Sequence, residues 1–169
     1  RLNVEEMVKL AFSLLVIPAI VVAICSYFFS YDIMNLLYKG NHIEESASVF
    51  RILMFCFIPI SSSYIFGTLL TANGNLRQLN LMASIGMFIN IVLNFILIPR
   101  YSATGAAISS ISTQLLTALA QIVMVQKAFG FRKNYRMLFM IGAFIISVIA
   151  INIFISKMHI NWVTGLILS

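Results

Sequence analysis

The sequence contains very little charge. Only 9% of its 169 residues are Asp, Glu, Lys or Arg, whereas 61% are hydrophobic. A water-soluble domain of this length has too small a core to bury so much apolar surface. The composition therefore excludes an ordinary soluble enzyme or binding domain and indicates a protein whose solvent is lipid.

Charge is absent altogether from five long stretches. These are Leu10 to Tyr31, Ile52 to Leu76, Gln78 to Pro99, Tyr101 to Gln126 and Met137 to Ser156. Each is long enough to cross roughly 30 Å of hydrocarbon as a helix rising about 1.5 Å per residue. Membrane strands are a poor alternative because they alternate apolar and polar residues over about ten positions, whereas these runs stay apolar over about twenty. We predict an all-α integral membrane protein, an antiparallel transmembrane helix bundle.

The predicted bundle has five complete helices and one incomplete helix. The complete helices cover about 10–31, 47–72, 78–98, 105–126 and 137–156, and an apolar stretch from about residue 160 is still running at Ser169. Twelve or so residues are too few to span a bilayer. Residues 1–169 are accordingly interpreted as a single membrane domain that is a fragment of a longer chain.

Cysteine and histidine are scarce, with two of each. Cys25 and Cys56 lie in separate apolar stretches, so we interpret them as small buried side chains. His42 and His159 lie in loops without a partner that would make either a catalytic base. No catalytic residue, metal ligand or cofactor is predicted.

The basic residues are spread over short loops, which argues against nucleic acid as a partner despite a net charge of +6. Counting alternate sides of the predicted helices, seven of the eleven lie on the side of the N-terminus and of the loop 127–136. Loops rich in Lys and Arg stay in the cytoplasm. The N-terminus and this loop are therefore predicted to be cytoplasmic in a multi-pass protein.

Polar residues on the third and fourth predicted helices gather on one face of each. The third helix places Asn80, Ser84, Met87, Asn90 and Asn94 together, and the fourth places Ala106, Ser110, Thr113, Gln114, Thr117 and Gln121 together. Hydroxyls and amides on such faces either bond across a helix interface or border a water-filled cavity. Both interpretations remain open.

Two further features have a structural and a functional interpretation. Ser63, Gly67 and Thr71 are spaced by four, which is typical of close helix packing. Arg51, near the start of the second helix, is either an interfacial anchor or an anion-binding residue. The fifth helix is predicted to be lipid-facing scaffold. The candidate substrate-binding residues are Arg51, Asn80, Asn90, Asn94, Ser110, Gln114, Thr117 and Gln121.

The region from Gly67 to Gln114 resembles a known family. Its features are the turn at 70–77, the pair Asn90 and Asn94, and Ile98-Pro99-Arg100-Tyr101 leading into Gly105-Ala106-Ala107. They are similar to the C-terminal half of bacterial polysaccharide exporters and O-antigen (lipid-linked oligosaccharide) flippases, in the multidrug/oligosaccharidyl-lipid/polysaccharide exporter superfamily. Ser102 departs from the pattern, because relatives often carry Gly there.

The resemblance implies the C-terminal part of a two-lobed transporter whose N-terminal lobe is missing from this chain. Its implied activity is translocation of a polyprenyl-pyrophosphate-linked glycan across the bacterial inner membrane by alternating access. A drug/cation antiporter of the same superfamily is an alternative. It needs an acidic residue inside a membrane helix to bind a cation, and the five charge-free stretches contain none. A membrane-embedded polysaccharide-processing enzyme needs a nucleophile, a base or a metal site, and the sequence offers none.

Overall fold

A computed structural model describes residues 2–38, 42–130 and 135–157 of the chain. Five α-helices make up almost all of these residues. They are α1 (Leu2–Leu37), α2 (Ile43–Phe55), α3 (Phe57–Ala72), α4 (Leu76–Phe129) and α5 (Tyr135–Lys157). The described part of the chain contains no strand, and it forms the all-α membrane helix bundle that the composition predicts.

The core lies where α1 meets α3 and α5. Val16, Ile20 and Ile24 of α1 pack against Ile65 of α3 and Val148 of α5. These positions on α1 are four residues apart, so they share one face of the helix. α5 was expected to be lipid-facing scaffold, but one of its faces is buried.

Asn152 marks that buried face of α5. Its side chain is completely buried, its Nδ2 donates to the carbonyl of Val148 (3.0 Å), and Nδ2 lies 4.0 Å from Cys25 Sγ on α1. An amide in this position must face protein because exposure to lipid is costly. Cys25 and Cys56 are both buried and free, as interpreted from the sequence.

The helix predicted over 47–72 is interrupted in the structure at Cys56, which separates α2 from α3 although its own backbone angles stay helical (φ −64°, ψ −23°). Pro59 supplies the physical reason. A proline in a helix cannot donate to the carbonyl four residues earlier, here that of Phe55, and its ring clashes with it. Cys56 N–H bonds instead to the Leu53 carbonyl (3.0 Å), as in a tighter 3₁₀ turn.

The helices predicted over 78–98 and 105–126 are the two arms of α4, which reverses direction at Ser102. Ser102 has φ 52° and ψ −130°, whereas the residues around it are helical. We call residues 76–101 the outgoing arm and residues 103–129 the returning arm. The outgoing arm continues past Pro99, where the sequence predicted that it ends, and the two arms pack side by side.

A tight turn joins α3 to α4 at the opposite end of the bundle from Ser102. The N–H of Gly74 bonds to the Thr71 carbonyl and the N–H of Asn75 to the Leu70 carbonyl, both at 3.0 Å. With Gly74 at φ 83°, this is a Schellman motif, which satisfies the last carbonyls of a helix. The turn signal Asn73-Gly74-Asn75 in the sequence corresponds to this motif.

The helices are dimensioned for a bilayer. By length and composition, α1, the α2–α3 pair and α4 are long and apolar enough to cross a membrane, and the shorter helix Phe139–Ile155 is also apolar. Large apolar side chains point outward, among them Phe95, which is 84% exposed. The predicted incomplete helix from about residue 160, and residues 131–134 of the 127–136 loop, lie outside the described residues.

Candidate functional site

A chain of hydrogen-bonded side chains runs between the two arms of α4. Asn94 Nδ2 donates to Asn90 Oδ1 (2.8 Å), and Asn90 Nδ2 donates to Thr113 Oγ1 on the returning arm (3.2 Å). One turn further on, Thr117 Oγ1 would lie 3.4 Å from a Cβ placed on Gly86. We call Asn90, Asn94, Thr113 and Thr117 the polar seam, and within the described part of the chain it brings several predicted site residues together.

Four hydroxyl groups of the returning arm are satisfied within the helix itself. Ser109, Ser110, Thr113 and Thr117 each donate to the carbonyl four residues earlier, at 2.8 to 3.0 Å. Serine and threonine commonly form this bond in membrane helices, where no water competes for it. Their hydroxyls therefore do not need a cavity, and the amides carry the argument for a polar site.

Two amide side chains of α4, one on each arm, have an oxygen that lacks a hydrogen-bond partner. Asn94 Oδ1 and Gln121 Oε1 are buried and accept no hydrogen bond within the described residues. A buried amide oxygen without a donor costs roughly 1–3 kcal/mol. Such groups commonly mark a place where water, an ion or a substrate donates.

Gln121 lies one turn beyond Thr117 on the returning arm and contacts α3. Its side chain is 92% buried, since only 8% of it is exposed, and a Cβ placed on Gly67 would lie 3.5 Å from Gln121 Nε2. Gly67 therefore contacts the returning arm through the Gln121 side chain at ordinary van der Waals distance, and close packing along Ser63, Gly67 and Thr71 stays a prediction. Ser63, one turn away on α3, also has a buried oxygen without a hydrogen-bond partner among the described groups.

Arg51 faces α1. Its Nε donates to Ser30 Oγ, and its guanidinium carbon lies 5.4 Å above the centre of the Tyr27 ring. The ion pairs among the described residues, Lys9 with Glu5 and His42 with Glu45, do not include Arg51. Its charge is thus held by a hydroxyl and a ring, and its described contacts do not reach the polar seam.

The other candidates are dispersed. Asn80 is exposed near the start of the outgoing arm, and Gln114 and Ser110 are half-buried on the returning arm. Whether these residues line an interior space in the whole protein stays a prediction. Thr113 was assigned to the polar face of the fourth helix but was not among the candidate substrate-binding residues. Its spacing from Ser110 and Thr117 could have identified it.

A second polar region, which sequence reasoning did not identify, surrounds the reversal of α4. A cavity of about 650 Å³ opens there between the end of α1, the start of α2 and residues 100–104. We call it the turn cavity. It is lined by Met34, Tyr38, Glu45, Ser46, Val49, Phe50, Leu53, Arg100, Tyr101, Ser102, Ala103 and Thr104.

Comparison with known proteins gives one match. The family described as "Lipid II flippase MurJ" matches residues 2–169, which is almost the entire chain. No curated protein and no solved structure matches the chain.

Proposed function

The chain belongs to the lipid II flippase MurJ family, and we propose that it forms part of a transporter that moves a polyprenyl-pyrophosphate-linked glycan across the bacterial inner membrane. This family is a member of the multidrug/oligosaccharidyl-lipid/polysaccharide exporter superfamily, as the sequence resemblance implied. Its members are flippases of a lipid-linked precursor and not enzymes. The family match over residues 2–169 is the observation that carries the proposal.

The family description names lipid II, the peptidoglycan precursor, and gives no support to the O-antigen substrate expected from the sequence. We therefore infer lipid II as the substrate, with an O-antigen-type lipid as the alternative. Both are anionic and rich in hydroxyls, so both need polar contacts inside an apolar protein. The unpaired oxygens of Asn94 and Gln121 are suited to accept hydrogen bonds from such a ligand or from the water around it.

The function is tested on the full-length protein in liposomes that carry either labelled lipid II or a labelled undecaprenyl-pyrophosphate O-antigen unit in one leaflet. We expect lipid II to reach the other leaflet faster than in protein-free liposomes, and faster than the O-antigen unit. Asn94→Leu should slow the movement. Ser147→Leu is the matched control, because Ser147 is exposed on α5.

Two results would contradict the proposal in different ways. Faster movement of the O-antigen unit would show that the substrate assignment is wrong while the transporter class is right. Equal rates with and without the protein, for both lipids, would remove the transport function itself.

A further inference from the structure

We propose that the turn cavity binds the phosphorylated, hydroxyl-bearing headgroup of a membrane lipid. The cavity lies at the end of the bundle opposite the Asn73–Asn75 turn, because α1 ends there, α2 begins there and α4 reverses there. Its volume of about 650 Å³ falls in the range of roughly 300–1,000 Å³ that is typical of small-ligand sites. The substrate of the proposed function is one source of such a headgroup, and for that source the proposal rests on the proposed function.

Arg100 provides the contact to phosphate. It lines the cavity, its side chain is exposed, and neither ion pair among the described residues includes it. Its donors are therefore available to a ligand. A guanidinium presents a planar fork of N–H donors that matches two phosphate oxygens at once and stays charged at any physiological pH.

Glu45 determines which kind of phosphate compound fits. Glu45 lines the same cavity, and its carboxylate is close to His42, with Nδ1 and Oε2 separated by 3.6 Å. A carboxylate repels a bare phosphate, but it accepts hydrogen bonds from hydroxyl or ammonium groups. The cavity therefore favours a ligand that carries such donors beside its phosphate, such as a saccharide or glycerol headgroup, over inorganic phosphate.

The remaining walls suit a ligand at the membrane boundary. Tyr38 and Tyr101 line the cavity next to apolar side chains such as Leu53. Tyrosine has an apolar ring and a polar tip, and it is enriched where the membrane meets water. Ser46 and Thr104 add hydroxyls, so a headgroup can be bound here while its hydrocarbon chain stays in lipid.

The test uses the full-length protein in detergent with Thr104→Cys as a local probe. Cys25 and Cys56 are buried, and any cysteine outside residues 1–169 is first replaced by serine, so a maleimide should react mainly at the new cysteine. Two lipids are added in separate arms, an undecaprenyl-pyrophosphate-linked disaccharide and phosphatidylglycerol, and inorganic phosphate is added in a third. We expect at least one lipid to protect the cysteine and inorganic phosphate not to protect it.

The role of Arg100 is tested in the same assay. Arg100→Gln should raise the lipid concentration needed for half-protection by about tenfold, which is the loss expected for a charge-assisted hydrogen bond. Arg77→Gln is the matched control, because Arg77 is also exposed and lies in the turn region at the other end. Its half-protection concentration should be unchanged.

The results identify the source of the headgroup as well. Protection by the glycan lipid alone assigns the cavity to the transported substrate, and protection by phosphatidylglycerol assigns it to bulk lipid. Absence of protection by both, equal effects of Arg100→Gln and Arg77→Gln, or equal protection by inorganic phosphate overturns the proposal. Lipid II movement without protection at residue 104 would refute this site only, whereas protection without movement would refute the proposed function only.

Discussion

Gly105 of the returning arm lies directly against the backbone of Leu97 on the outgoing arm. A Cβ atom placed on Gly105 would be 2.6 Å from the Leu97 carbonyl carbon, and 3.0 Å from the nitrogen of Ile98. Backbone atoms cannot move aside as the end of a flexible side chain can. The two arms of α4 can therefore approach this closely only with glycine at position 105.

Replacing this glycine should destabilise the protein. We expect Gly105→Ala to lower the free energy of unfolding by about 1–3 kcal/mol, the usual cost of overpacking. Thermal unfolding of the full-length protein in detergent measures it. Gly142→Ala is the control, because a Cβ there meets nothing within 4 Å and alanine is the better helix former by about 1 kcal/mol. Equal transition temperatures for the two variants would show that the arms are not in contact at Gly105.

Ser102 should be improved by glycine. Its φ of 52° with ψ of −130° corresponds to the first central residue of a type II′ turn, which favours glycine. A side chain held there costs on the order of 1–3 kcal/mol. Ser102→Gly should therefore raise the unfolding temperature, whereas Ser84→Gly, in the helical part of the outgoing arm, should lower it. A lower temperature for Ser102→Gly would mean that the turn has another geometry.

The apolar runs in the sequence locate the helices, because every segment that crosses lipid must be apolar for about 20 residues. They do not reveal the breaks. Pro59 removes the hydrogen bond to the Phe55 carbonyl, four residues earlier, and the helix predicted over 47–72 is interrupted there. The apolar composition of this stretch does not show the interruption. Pro99 has the opposite outcome: the sequence predicts that the helix ends there, but the outgoing arm continues past it and ends at the turn formed by Ser102.

The polar seam should contribute measurable stability. Asn90→Leu and Thr113→Val each remove one partner of the hydrogen bond between the arms. A double-mutant cycle on unfolding free energies should give a coupling of about 0.6 kcal/mol, up to about 1.7, as for other interhelical bonds in membranes. The matched cycle pairs Asn90→Leu with Ser84→Ala, since Ser84 bonds only to the carbonyl of Asn80 in its own arm. Equal coupling in both cycles would contradict the bond.

The sequence predicts a polar face more reliably than a site. Helical periodicity places Asn90 and Asn94 on one face of the outgoing arm and Thr113 on one face of the returning arm, and the structure joins the two faces by hydrogen bonds. Periodicity does not show which neighbouring helix a polar face contacts. It therefore could not predict that Gln121 packs on Gly67 of α3. It also missed the turn cavity, whose lining comes from three separate parts of the chain.

The turn regions at the two ends of the bundle should lie on opposite sides of the membrane. His42 precedes α2 at the end where α1 finishes, and Asn75 precedes α4 at the other end. The distribution of basic residues predicts that the Asn75 end is cytoplasmic. In intact cells, a membrane-impermeant maleimide should label His42→Cys but not Asn75→Cys, and both should react after permeabilisation. Labelling of both in intact cells would refute this topology.

Arg51 offers the sharpest test of a single candidate residue. Its Nε is occupied by Ser30 Oγ and its guanidinium lies over Tyr27, which leaves the two terminal nitrogens without an acidic partner among the described residues. Those nitrogens form the end of the fork that suits a pyrophosphate. An interfacial anchor needs only a long stem with a charge, which Lys also provides.

We therefore hypothesise that Arg51 contacts the substrate phosphates, and that Arg51→Lys and Arg51→Ala both slow lipid II transport by about tenfold or more, as expected for loss of a charge-assisted hydrogen bond. Transport in liposomes and protein abundance in the membrane are measured together, with Arg77→Ala as the control for an exposed arginine. Arg51→Lys distinguishes a phosphate-binding guanidinium from an interfacial anchor, because a single ammonium cannot donate to Ser30 and also present a planar pair of donors to phosphate. Slow transport by both variants at normal abundance requires the fork, whereas normal transport by Arg51→Lys and slow transport by Arg51→Ala would reduce Arg51 to a charge. Normal transport by Arg51→Ala at normal abundance would leave it as an anchor, and the phosphate contact would then have to come from other residues.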